Sequence, residues 1–278
     1  MTDQAARYDR IAQGYARWWA PVLAPSARNL LDRLAPELDG REARLLDVGT
    51  GTGTLTVAAL ERWPDVRVDA IDASAEMVRA ARNEVAATPR GSSRATVTTA
   101  FADALPYPDG SFDAAMSSFV LQLVPNRYRA LREIRRVLRP GCRLAYVTWV
   151  RERSRWRPDD ILDDVLDDLE IGARPDDEPD DDPLAGDLPS VEAAATGLRR
   201  AGFRRVSAEG ARLRHRFDPA SYTAFISEFD EESLISSLDP ELRGRFKDEL
   251  QRRLTKLDPQ DLILDTPIAY ATGLKPGS

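Results

Sequence analysis

Short apolar runs alternate with helix-period stretches through the first 150 residues of the chain. Leu45-Leu46-Asp47-Val48 reads as a buried strand, and Val66, Val68 and Ala70 with Ile71 read as a second one ending at Asp72. Residues 95–101, 112–118 and 144–150 suit three more. The stretches between them carry helix signals. Residues 54–63 stop at Pro64, Ser74 is an N-cap for a helix through Ala87, and Asn126 caps one running to Leu138 that Pro140-Gly141 ends. Upstream, residues 3–35 read as two helices broken at Pro21 and Pro25. Strands alternating with helices in this way predict a parallel sheet covered on both faces.

Beyond Arg151 the rhythm loosens. A helix at 159–171 leads into a Pro/Asp-rich loop at 174–190 and a helix at 191–201. Phe203–Phe217 is a sixth strand, followed by amphipathic helices at 219–235 and 239–257 and a last strand at 261–272. Tyr222, Phe225, Ile226 and Phe229 fall at i, i+3, i+4 and i+7, one apolar face of the first of these helices. Leu242, Phe246, Leu250, Leu254 and Leu257 make a similar stripe on the second.

Composition narrows the class. A chain of 278 residues with 42% hydrophobic residues and a net charge of −7 can bury a substantial core. Cys142 is the only cysteine, which excludes internal disulfides and thiolate metal clusters. There are neither clustered histidines nor a calcium-loop pattern, so no metal is expected. Met1–Arg10 is polar and unlike a signal peptide, and no apolar run is long enough to span a membrane, so the expected location is the cytoplasm. The basic alternation Arg151, Arg153, Arg155, Arg157 is short, and Asp176–Asp182 reads as a solvated acidic loop. A net acidic chain of this kind is a poor nucleic-acid binder.

The chemistry concentrates at Gly49-Thr50-Gly51-Thr52-Gly53, which follows a strand and opens a helix. Glycines serve where the backbone turns tightly and a ligand approaches closely, and the helix beyond offers unpaired N–H groups. Asp72 ends the next strand, where a carboxylate can accept from both hydroxyls of a ribose. Dinucleotide sites usually run G-x-G-x-x-G, but Thr54 holds the sixth place here. Asp47 before the turn would repel a pyrophosphate and suit an ammonium instead. An adenosine cofactor without phosphates fits best.

The chain resembles the class I S-adenosylmethionine-dependent methyltransferases, and within them the small-molecule branch typified by ubiquinone and menaquinone biosynthesis C-methyltransferases. The residues that carry the likeness are LLDVGTGTGTL (Leu45–Leu55), ASAEMVRAAR (Ala73–Arg82), FADALPYPDGSFDAAMSSFVLQLV (Phe101–Val124) and LREIRRVLRPGCRLAYVTW (Leu131–Trp149). The opening YDRIAQGYARWW (Tyr8–Trp19) and the closing DTPIAYATGLKP are similar as well. The resemblance implies S-adenosyl-L-methionine as cofactor and a Rossmann-like seven-stranded sheet with the last strand antiparallel. It implies that Gly49, Thr50, Gly51 and Gly53 form the turn under the methionyl part, with Asp47 near its amino group. Asp72 would hold the ribose, with Ala73 and Met77 against the adenine. Asp103 would accept from the adenine amine, Ala104 and Leu105 would line the same slot, and Ser118 and Tyr15 would lie at the methionyl end.

Methyl transfer from a sulfonium needs alignment and exclusion of water more than a catalytic triad. A base is needed only where the nucleophile must lose a proton, and His215, the only histidine, is the candidate, with a structural histidine as the alternative. Residues 1–40 are expected to form an N-terminal helical cap and 41–217 the cofactor-binding core. Residues 218–258 would form a lid inserted between strands six and seven, and 259–278 would add the final strand. Such a lid would place Tyr222, Phe225, Ile226 and Phe229 against a small apolar substrate. A homodimer is the alternative use of the same face. Two other functions stay open: a cofactor-binding protein without transferase activity, and a nicotinamide-dependent oxidoreductase.

Overall fold

The computed structural model describes residues 3–152, 155–172 and 186–277. Arg153 and the acidic run Asp176–Asp182 lie outside them. Among these residues seven strands form one sheet: β1 (Ala43–Val48), β2 (Val66–Asp72), β3 (Ala95–Thr99), β4 (Phe112–Ser118), β5 (Leu138–Trp149), β6 (Arg204–Arg216) and β7 (Ile263–Leu274), in the order β3-β2-β1-β4-β5-β7-β6. β1 to β5 run parallel, and β7 is antiparallel to both of its neighbours.

Alternation along the strands sends successive side chains to opposite faces, and each face has its own core. Leu45, Val68, Ala114 and Met116 join one cluster, whereas Leu46, Ile71, Ala115 and Tyr146 join the other. The first face is covered by the N-terminal helices, by helices Thr54–Arg62 and Ala75–Ala87, and by the helices between β6 and β7. Helices Arg127–Val137 and Val191–Arg200 cover the second. Local capping explains where the helices begin. Met77 N donates to Ser74 Oγ at 3.1 Å and Arg129 N to Asn126 Oδ1 at 2.9 Å.

Three boundaries differ from the pattern. Pro25 sits inside helix Ala20–Leu30, and Pro21 occupies its first turn, where an N–H would be unpaired anyway. The irregularity lies earlier, in a π-helical turn at Tyr15–Trp19. β5 starts at Leu138, because Phe112 pairs with Leu138 before the register shifts to Ala114–Arg143. Pro140-Gly141 therefore interrupts a ladder instead of ending a helix. The first helix after β6 also ends sooner: Pro219–Phe225 widens into a π-helical turn at Ile226–Asp230 before Glu232–Ser237. Among the described residues no helix is long and apolar enough to cross a membrane, and no group of His, Cys, Asp or Glu could hold a metal ion.

Candidate active site

The site is built at the C-terminal edge of the parallel strands, where β1 and β4 lie side by side and their connections leave in opposite directions. Open α/β sheets bind ligands at such a switch point. Gly49 N and Thr50 N both donate to Ile71 O at 2.8 Å, which ties the turn after β1 to β2. Gly49 has φ +75°, and a Cβ there would lie 2.3 Å from a Val120 methyl carbon. Gly53 has φ +90° and lets helices Thr54–Arg62 and Ala75–Ala87 meet, since a Cβ would come within 3.1 Å of Ala81 Cα.

Two carboxylates flank the turn. Asp72 accepts from Gly51 N at 2.8 Å through Oδ2 and from Ser74 N at 2.9 Å through Oδ1. Burial pushes its carboxyl up, and these backbone N–H groups draw it back. Asp47 is fully enclosed at 1% exposure. Its Oδ2 accepts from Thr56 Oγ1 at 2.6 Å, while Oδ1 has no partner. Burial pushes this carboxyl up to about 6, against the bonds from Thr56 and Thr50.

A cavity of about 520 Å³ opens over the turn, within the range of about 300–1,000 Å³ usual for ligand sites. Tyr15, Gly49, Gly51, Asp72, Ala73, Met77, Asp103 and Ser118 all line it. Thr50 lines a recess of about 30 Å³ beside it, together with Tyr15, Gly49 and Ser118. Asp47 and Gly53 stand behind this surface. Ala104 and Leu105 do not reach the cavity: Ala104 faces solvent, and Leu105 is buried with its N–H donating to Glu133.

His215 is not brought to the cavity. β7 lies between β5 and β6, so β6 forms the sheet edge one strand farther from the switch point. His215 packs edge-on against Phe217 at 4.5 Å, and burial lowers its pKa. The four residues expected to face substrate do not reach it either. Phe225 packs on Trp19 at 5.2 Å and Phe229 on Tyr15 at 5.8 Å, so both stand behind residues that do line it. Tyr222 donates its hydroxyl to Asp159 at 2.8 Å, and Ile226 is buried in the same cluster. The second stripe packs on helix Arg157–Asp168.

Several lining residues carried no separate signal in the sequence. Phe119, Gln122, Trp149, Asp187 and Thr266 belong to this group. Phe119 comes directly after β4 and Trp149 ends β5, so strand-end position could have found them. Phe119 has φ +55°, a strained conformation for an aromatic residue, and its ring lies 4.4 Å from that of Trp149. Nothing local marks Asp187.

A sheet of this order, a glycine turn after its first strand and a carboxylate ending the second define a Rossmann-like domain with a site for an adenosine-type cofactor. Residues 45–141 match the family described as a methyltransferase domain. The chain is 37% identical over 113 residues to the ubiquinone/menaquinone biosynthesis C-methyltransferase UbiE of Geobacter sulfurreducens, covering 40% of this chain and 44% of the relative. It is 41% identical over 144 residues to UbiE of Methylobacterium nodulans, covering 50% and 53%. The chain thus spans about half the length of the curated relatives it matches. Among solved structures, the [4+2]-cyclase SpnF superposes with a TM-score of 0.54 at 25% identity, over 91% of this chain and 83% of that one.

Proposed function

We propose that this protein transfers a methyl group from S-adenosyl-L-methionine to a small organic substrate. The observation that carries the reading is the pair of carboxylates around the glycine turn. Asp72 is fixed beside Gly51, and Asp47 holds a buried acceptor atom with no partner. Asp72 can accept from the hydroxyls of a ribose, and the negative charge of Asp47 behind the cavity wall favours an ammonium. Among the described residues lining the cavity there is no Lys, Arg or His, so the pyrophosphate of a nicotinamide cofactor would lack a side-chain countercharge.

The cofactor supplies a methyl group on a sulfonium, already activated toward nucleophiles. Asp72 would hold the ribose, and Asp47, behind the turn, would favour the amino group electrostatically. Asp103 and the exposed ring of Phe101 would meet the adenine. The chain's remaining work is to orient the acceptor and exclude water. Segments 1–40 and 218–258 act together as cap and lid in this reading. Tyr15 and Trp19 form the inner layer, and Phe225 and Phe229 support them from behind. Trp18 Nε1 donates to Glu228 at 2.6 Å and joins the two segments.

Asp72→Ala tests the reading. It removes charge-assisted hydrogen bonds worth about 1.5–3 kcal/mol each, so calorimetry should give at least tenfold weaker S-adenosylhomocysteine binding with the fold intact. Unchanged affinity would overturn the assignment. A second reading, chemistry other than methyl transfer at the same site, is favoured by the likeness to a [4+2]-cyclase, because a fold does not fix a reaction. It predicts cofactor binding without S-adenosylhomocysteine production on any acceptor panel.

A further inference from the structure

The cavity extends well beyond the part the cofactor would use. One half is lined by the ends of β2 and β3 and the loops after β1, β2 and β3, and contains Asp72 and Asp103. The other half lies over the ends of β4 and β5 and the start of β7, where Phe119, Gln122, Trp149, Asp187 and Thr266 line it. Given the proposed function, the first half belongs to the cofactor and the second to the substrate. Among the described residues Asp187 is the one ionisable side chain in that second half.

Its position is fixed. Gly186 N donates to Gln122 O at 3.1 Å, Leu188 N to Trp149 O at 3.2 Å, and Arg151 N to Leu188 O at 2.8 Å. Val150 and Leu188 form a parallel bridge, and Arg127 donates to Gly186 O at 2.5 Å. These bonds add residues 186–188 to the edge of the site as a short fixed segment. The Asp187 carboxylate itself makes no hydrogen bond or ion pair among the described residues. Asp187 lines the cavity while the residue as a whole stays exposed to solvent; desolvation by the walls pushes its carboxyl up, against Arg151 and Arg127, which lie outside the cavity lining.

We propose that the substrate carries an amino group, bound as an ammonium ion by Asp187, on an aromatic or apolar body. A carboxylate at the lining of a largely apolar cavity attracts a cation, and a ligand that displaces water from it strengthens that attraction. The walls suit one as well. Trp19 and Trp149 stack at 6.0 Å and Phe119 tilts against Trp149, so aromatic rings line the same half and offer apolar surface to the body of such a substrate. Among the described lining residues there are three aspartates and no basic side chain, so a substrate carboxylate or phosphate would find no cation in the cavity wall to pair with.

The test uses the full chain saturated with S-adenosylhomocysteine and three probes of one skeleton: 2-phenylethylamine, 2-phenylethanol and phenylacetate. Calorimetry, checked by quenching of tryptophan fluorescence, gives their affinities. The amine should bind at least tenfold tighter than the alcohol, and phenylacetate should be weakest. Asp187→Asn should bring the amine down to the level of the alcohol while S-adenosylhomocysteine affinity stays within twofold, which also reports on folding. Asp187→Glu should keep a preference for the amine. The proposal is overturned if the amine does not bind, if the alcohol or acid binds as well, or if the preference survives in Asp187→Asn. If S-adenosylhomocysteine itself fails to bind, the proposed function falls. The probe series is then read on the unliganded protein, whose cavity carries the same carboxylates.

Discussion

Asp47→Asn should make the unliganded protein more stable and its cofactor binding worse. The wild-type carboxyl is fully enclosed, has one unpartnered oxygen, and is held at about 6 instead of its ordinary 3.8. A native pKa above the unfolded one means that the folded state binds the proton more tightly. The associated stability is therefore complete below 3.8 and is lost as pH rises through about 6. The difference corresponds to about 3 kcal/mol at pH 7.5. Asparagine keeps the shape and cannot ionise, so the variant should escape this loss. Thermal unfolding of both proteins at pH 4 and pH 7.5, without ligand, isolates the effect, because every other titrating group contributes to both. The melting temperature of the variant relative to wild type should rise between the two pH values by roughly 4–5 °C. Calorimetry at pH 7.5 should show at least tenfold weaker S-adenosylhomocysteine binding. An equal gap at both pH values would refute the buried charge as the cause. Unchanged cofactor affinity would refute the role of the unpartnered oxygen.

His215→Asn should leave turnover within about twofold of wild type, since the ring packs on Phe217 outside the cavity; a loss on the order of 10²-fold would restore it as a base. Phe225→Ala removes a buried ring that supports Trp19, and should lower stability by about 3–5 kcal/mol in denaturant unfolding. Because Phe225 stands behind Trp19, KM for the acceptor should rise more than S-adenosylhomocysteine affinity falls, and equal effects on both would count against a substrate-side lid.

By itself the sequence determined what short-range physics controls. The apolar pattern placed six of the seven strands within about two residues and started β5 at Leu144, six residues late. The side chains of Ser74 and Asn126 cap the helices that begin beside them, and the glycine turn and Asp72 stand next to each other because β1 and β2 are paired neighbours. The half of the cavity over β1 to β3 was legible for this reason, since the residues that line it lie at or just after strand ends. Only the tertiary structure decided what depends on neighbours distant in the chain. The insertion of β7 between β5 and β6 moved His215 to the sheet edge. The apolar stripe of residues 222–229 identified a buried face but could not say what buries it, and the partner turned out to be Tyr15 and Trp19. Asp47 reads as a strand-end acid, yet its raised pKa exists only because β1 is central and its Oδ1 finds no donor. Asp187 reaches the half of the cavity over β4 and β5 through a bridge from Leu188 to Val150, and no local pattern encodes a pairing so distant in the chain.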